Sequence, residues 1–250
     1  MTRGIRVVVA AVVCGIVAAG SAACGGGAVN TSGGNTGAEM ARLWGLLRRE
    51  TGRLPEGFSA RTRDGWMPPF QARNRDCRLV LDMAGGHPPR REPGARVAVT
   101  YPGDGLGELA GVTLASYAGE DARRHFDEIT RAMNACRVVR SPAAGKGTSF
   151  KVSGLELDAV GGDVRARRLR GRLNGYPYEM HVVFALTGQT LVSLVHAGVH
   201  RVDAERTVRF ARFLIERAAS PGPDRPREAE GNARGRAPAG PSRPPRSERA

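Results

Sequence analysis

The chain has 250 residues, 41% of them hydrophobic and 25% charged, and a formal net charge of +14. So large a positive excess invites a nucleic-acid reading, but Lys146 and Lys151 are the only lysines among 38 basic residues, the usage of a GC-rich genome. The leader read next excludes nucleic acid as the partner, which leaves the anionic outer face of a membrane or wall polymers as electrostatic neighbours of a solvated basic surface.

Arg3 and Arg6 precede an apolar run from Val7 to Ala19, and small residues follow up to Cys24. That is the layout of an export signal. Ser21-Ala22-Ala23-Cys24 resembles a bacterial lipobox, with Ser21 where the pattern prefers Leu. A thiol directly after the cut can accept a diacylglyceryl group, so residues 1–23 are predicted to be a signal peptide and Cys24 the lipidated, palmitate-bearing anchor on the outer face of the cell membrane. An uncleaved signal anchor, since Val7 to Ala23 nearly spans a bilayer core, and plain secretion are the alternatives. All three export the domain. Beyond Cys24, residues 25–37 are Gly, Ala, Ser, Thr and Asn with Val29, so that 24–37 read as a flexible linker, within which Asn30-Thr31-Ser32 matches a glycosylation sequon.

Of the four cysteines, Cys14 leaves with the signal and Cys24 takes the lipid. Cys77 and Cys136 remain and are expected to pair in an oxidising compartment. The alternative, a two-cysteine metal site, lacks further ligands at short spacing.

Ala38 to Glu50 has helical spacing, with Met40, Leu43 and Leu47 on one face, and Gly52 and Pro55 end it. An irregular stretch runs from Pro55 to about Arg75, where Phe58, Trp66 and Phe70 are docking side chains. Arg96 to Tyr101 and Val112 to Tyr117 read as strands. Ala122, Phe126, Ile129 and Met133 recur at helical spacing between Glu120 and Met133, and Cys136 follows directly, so the disulfide would staple this helix to the region of Cys77. Ser149 to Leu157 is another strand. Asn174-Gly175 is a two-residue hairpin signal joining Val164–Leu173 to Tyr176–Leu186, and Gly188-Gln189 turns the chain into Leu191–Ala197. Asp203 caps a last helix, with Ala204, Val208, Ala211 and Ile215 on its apolar stripe, ending near Ala219. The Pro/Arg-rich residues 220–250 are predicted to be disordered. The expected architecture is a single α+β domain over 38–219, a mostly antiparallel sheet with amphipathic helices packed on one face.

Counting outward from the two turns sets the register, because side chains alternate between faces. Leu169, Leu173, Met180, Val182, Phe184, Leu191 and Val195 share the core face. The other face puts Arg170 opposite Glu179 and aligns Arg168, His181 and His196 across three strands. Two imidazoles beside a guanidinium would hold a carboxylate or phosphate and respond to mild acidification; the alternative is an open polar face that simply meets water. A metal on His181 and His196 is disfavoured by Arg168. The sequence has no nucleophile elbow, no HExxH and no recognisable carboxylate pair, and the glycines at Gly25 and Gly145 to Gly147 lack the context of a phosphate loop. No enzyme activity and no cofactor are expected.

LPEGF at Leu54 to Phe58, CRLVL from Cys77, VAVTY from Val97, FDEITRAMNAC ending at Cys136 and the closing hairpin into Val192 and Leu194 resemble the extracellular sensor domain of mycobacterial PknH-type Ser/Thr kinases and related actinobacterial lipoproteins, over roughly Leu43 to Ala218. The resemblance implies an antiparallel sheet with helices on it and a cleft for an unidentified ligand. This chain holds one cysteine pair where the kinases have two disulfides, and it has no kinase domain. The expected function is noncatalytic binding or sensing of a small anionic or apolar envelope ligand by a monomer. A carrier or chaperone for apolar envelope lipids would instead need an enclosed apolar cavity, and an envelope hydrolase a nucleophile within hydrogen-bond reach of a base.

Overall fold

Asn174 and Gly175 both take positive φ, 50° and 88°, the backbone a two-residue hairpin requires. Leu173 accordingly pairs with Tyr176, and Thr187 pairs with Thr190 across Gly188-Gln189. The two turns therefore set the register by which Arg168 faces His181 and His181 faces His196, as counted from sequence. These strands are the middle of a larger sheet. The computed structural model describes residues 32–48, 54–88, 91–141, 147–157 and 162–220, which from Gly33 onward belong to one compact unit.

The elements in chain order are α1 (Ser32–Arg48), β1 (Arg63–Asp64), α2 (Arg75–Ala84), β2 (Ala95–Pro102), β3 (Leu109–Ser116), α3 (Asp121–Ala135), β4 (Val138–Arg140), β5 (Ser149–Gly154), β6 (Asp163–Leu173), β7 (Tyr176–Thr187), β8 (Thr190–Val199) and α4 (Ala204–Ala219). The eight strands form one antiparallel sheet in the order β1-β2-β3-β8-β7-β6-β5-β4. The fold is α+β.

The helices lie on both faces rather than on the one face expected. On one side, α2 and α3 bury Val80, Leu81, Phe126, Ile129 and Met133 against the predicted core face, with Leu169, Met180, Phe184 and Val195. On the other, α1 and α4 bury Leu43, Leu47, Phe210 and Leu214 against Val97, Val112, Val183 and Leu194. The reason is strand alternation: Val183, Ala185, Val192 and Leu194 point away from α2 and α3 and need a cover of their own.

Helix α2 went unseen in the sequence although its signals are present. Asn74 caps it by accepting from Asp76 N and Cys77 N at 2.8 and 3.1 Å, and Cys77, Val80, Leu81 and Ala84 follow at helical spacing and are buried. Cys77 in its first turn is bonded to Cys136 at the C-cap of α3, so the disulfide joins two neighbouring helices on the same face. Helix α1 begins at Ser32, before the expected Ala38. Its first turns, SGGNTG, are weak helix formers, and extending a helix is far cheaper than nucleating one, so turns anchored through Leu43 and Leu47 carry them. The buried stripe of α4 is Thr207, Phe210, Ala211, Leu214 and Ala218; the expected stripe of Ala204, Val208 and Ile215 is only half-buried, because the larger Phe210 and Leu214 set the docking angle. Trp66 and Phe70 are buried, as docking residues should be. The leader, Cys24 and the tail 221–250 lie outside the described residues.

Candidate functional site

Rows of paired residues cross the face covered by α1 and α4. Ala166, Val183, Leu194, Val112 and Val99 make an apolar row. One step toward the Asn174 turn the row is Ser153, Arg168, His181, His196, Ala110 and Tyr101, and the next holds Lys151, Arg170, Glu179 and Gly198. The face thus changes from apolar to polar along the strands. Helix α4 runs over both parts, since its Phe210 and Leu214 meet the apolar rows while Thr207, three residues before Phe210, meets the histidines.

The polar part is not the open, wetted face that one reading of the sequence allowed. His181, His196 and Thr207 are 0% exposed and Glu179 is 3% exposed. Nor do the imidazoles face a ligand, because each of their nitrogens is engaged inside the protein. His181 Nδ1 is 2.7 Å from Thr207 Oγ1, and its Nε2 is 3.0 Å from Glu179 Oε1 and 3.3 Å from Arg168 Nε. His196 Nδ1 is 2.8 Å from the same Thr207 oxygen, and its Nε2 is 2.8 Å from Glu108 Oε1. Arg206 then holds Glu108 at 3.0 Å, Asp104 at 3.1 Å and the Glu56 carbonyl at 3.2 Å.

With both rings neutral, one proton arrangement gives every ring nitrogen a partner, Arg168 rather than Glu179 serving His181 Nε2 and bridging it to the Glu179 carboxylate 3.4 Å away. Arg168 Nε–H donates to His181 Nε2, His181 Nδ1–H donates to Thr207 Oγ1, the Thr207 hydroxyl donates to His196 Nδ1, and His196 Nε2–H donates to Glu108. The Asp203 carbonyl, 3.0 Å from Thr207 Oγ1, is the alternative acceptor for that hydroxyl. Neutral rings agree with the electrostatics. Burial, with His196 and the Arg168 guanidinium nearby, pushes His181 down to about 3. The Asp203 carboxylate opposes this in part, and Arg168 and Arg170 lie 3.4 and 3.7 Å from the Glu179 carboxylate. Burial also lowers His196, against the opposing bond to Glu108.

The LPEGF segment docks on the far end of this chain of hydrogen bonds. Phe58 stacks on Phe210 with ring centroids 5.0 Å apart and meets His196 edge-on at 5.2 Å, while the Arg206 guanidinium lies 4.8 Å above its ring. Gly57 has φ +87°, and a Cβ there would collide with the Arg206 guanidinium.

Its near end opens on a cleft of about 360 Å³ lined by Arg168, Arg170, Glu179, Arg201, Val202 and Asp203. The Arg168 side chain is 37% exposed, that of Arg170 60% and that of Glu179 4%, so two guanidiniums rim the cleft and the carboxylate lies at its floor. A smaller cleft beside it, about 120 Å³, is lined by Arg170, Tyr178, His200 and Arg201 among others. Of the five residues singled out in sequence, Arg168, Arg170 and Glu179 thus border the cleft and His181 and His196 lie behind it. The sequence reading missed Glu108, Arg201, Arg206 and Thr207. Only Thr207 left a local trace, a hydroxyl on the buried stripe of α4.

Thr207, His181 and Glu179 are spaced like a nucleophile, base and orienting carboxylate. The pattern is closed: the hydroxyl is fully buried and already has two imidazoles and a carbonyl within 3.0 Å, which leaves no position for a reacting carbonyl. Among the described residues no group of three His, Cys, Asp or Glu is arranged to hold a metal ion.

No protein-family model matches the sequence, and no curated protein matches it. The fold is similar to that of the extracellular domain of PknH from Mycobacterium tuberculosis, with a TM-score of 0.52 and 11% identity over 72% of this chain and 95% of that one. At that identity the likeness is one of fold.

Proposed function

We propose that this chain is an exported lipoprotein, anchored through Cys24 to the outer face of the cell membrane, whose domain binds an anionic envelope ligand without transforming it, as a sensor-like module. The observation that carries the reading is the cleft at Arg168, Arg170 and Arg201, since guanidiniums pair with carboxylate or phosphate in a fixed, forked geometry. His181 supports it from behind by contacting Arg168 and Glu179, and His196 holds the Thr207 hydroxyl that His181 shares, a role different from direct ligation. Likeness in fold to an extracellular domain and the apolar leader support export. Both clefts described on this face are open and lined by arginine, which favours an anion over the apolar cargo of a lipid carrier.

The test is a titration with orthophosphate and with acetate, followed by NMR of the arginine Nε–H and histidine ring signals. Arg168, Arg170 and Arg201 should shift, with smaller changes at His181. Saturable binding that leaves all three arginines unmoved would overturn the assignment of the site. Mass spectrometry of the mature protein should find a diacylated N-terminal Cys24; an intact leader or an unmodified cysteine would overturn the anchor.

A further inference from the structure

The strand register sorts the basic residues of β4, β5 and β6 by face. On the side of α1 and α4 it sets Arg140 opposite Ser149, Ser149 opposite Arg172, Lys151 opposite Arg170 and Ser153 opposite Arg168. This outer wing of the sheet is exposed at Arg140, Lys151, Arg170 and Arg172. Glu179 is the only acid that the register places on this face of β4 to β7, and it is buried against Arg168 and Arg170. Arg201, exposed at the inner border, lines the cleft. Among the described residues Arg140, Lys151 and Arg201 have no ion-pair partner.

Lys151 opposite Arg170 is a like-charge cross-strand pair, an arrangement that destabilises a sheet. The net charge of the chain does not account for it. On α3, basic residues are interleaved with acids: Arg123 pairs with Asp163, and Arg91 and Arg124 pair with Asp121. Cations are therefore gathered on an exposed area of the sheet, where they recur about 4.8 Å apart across strands and about 6.8 Å apart along them. A single small anion in the cleft would leave the wing unneutralised. A partner with one negative group per repeat reaches several cations at once. A membrane surface fits less well, because Val138 is the only exposed large apolar side chain that the wing offers for insertion.

We infer that the outer wing, with the cleft at its inner border, is a docking surface for a linear polyanion bearing phosphate or carboxylate on successive repeats. The inference rests on the anion reading of the cleft for the group lodged there, while the wing can be tested by itself.

The experiment measures binding of long-chain inorganic polyphosphate to the full mature chain, with orthophosphate and phosphatidylglycerol vesicles as comparison probes. A variant with Arg140→Gln, Lys151→Gln and Arg172→Gln is set against a control with Arg75→Gln, Arg131→Gln and Arg137→Gln, which removes the same charge elsewhere and leaves the basic tail in both. Polyphosphate should bind far more tightly than orthophosphate, and the wing variant should weaken it roughly tenfold or more and flatten its salt dependence, as lost phosphate contacts do. The control should change affinity by less than about threefold. Equal losses in the two variants, polymer binding no tighter than orthophosphate, or binding to vesicles without binding to polymer would each overturn the inference. If orthophosphate leaves Arg168 and Arg170 unmoved while the wing variant still weakens the polymer, the cleft assignment falls and the wing stands.

Discussion

The two faces of the sheet are closed by different physics. Under α2 and α3 the contact is mainly apolar, built on Phe126, Ile129, Met180, Phe184 and Phe150, with Ser193 bonded to the Ala84 carbonyl and His125 buried on α3, and the two helices are locked together by the Cys77–Cys136 disulfide. Under α4 the apolar contact stops at Phe210, and Glu179, Arg168, His181, Thr207, His196 and Glu108 continue it as a polar chain. The first arrangement stabilises mainly through area removed from water, with His125, held below its ordinary value by burial, as the acid-sensitive group on α3. The second depends on every partner being present and on the histidines staying neutral, because a buried polar group stripped of its partner costs more than an intact bond contributes. The polar half is also the half that reaches the cleft, so stability and ligand response meet there.

The largest effect should come from the apolar face. Phe126→Ala removes a ring that is 1% exposed and should lower stability by about 3–5 kcal/mol in chemical denaturation; a loss no larger than that of a surface substitution would contradict this account of the core. Reducing the disulfide, or replacing both cysteines by serine, should cost up to about 4 kcal/mol by freeing the unfolded chain, with α2 and α3 the first segments to lose hydrogen-exchange protection.

Acid should act at the buried histidines, His181 and His196 beneath α4 and His125 on α3. The folded state holds His181 near 3, below its ordinary value of 6.5. The unfolded chain therefore takes up a proton first as pH falls, and the stability contributed by the neutral ring is complete above 6.5 and lost progressively toward 3. The loss should be on the order of a few kcal/mol, and a His181→Gln variant should show a flatter profile over that interval. Equal pH slopes for the two proteins would show that His181 is not held neutral.

A smaller effect is expected from Thr207→Val, which keeps the shape and removes the oxygen shared by both rings, at a cost of about 1–3 kcal/mol, while Thr207→Ser restores most of it. If valine is as stable as threonine, the hydrogen-bond chain contributes nothing. The smallest is Asp203→Ala. Asp203 accepts from Glu205 N at 2.8 Å and from Arg206 N at 3.4 Å, so losing this cap should cost about 1 kcal/mol in thermal unfolding.

Much of the sheet was legible before any coordinates. The Asn174-Gly175 and Gly188-Gln189 turns and the two-residue alternation set the β6–β7–β8 register, because a two-residue turn leaves no freedom in pairing. Asp203 and Ala219 bound α4 where capping places them. Helix α2 was missed because it is short and begins directly after an irregular segment. β4 was missed because three residues carry no periodicity. Of the site, Arg168, Arg170, Glu179, His181 and His196 could be assembled from sequence, since one hairpin system carries all five. Glu108 and Arg206, 98 positions apart, could not.

Local chemistry by itself determined which residues share a face, where the strands turn, which two thiols of the domain are left to pair, and the apolar leader with Cys24 behind it. The tertiary structure decided what covers each face. Alternation along a strand states only that two side chains point the same way, whereas burial depends on which distant helix is laid over them. That is why a row of histidines that could have met water is instead sealed beneath Thr207, and why the arginines of the neighbouring strand reach the outside.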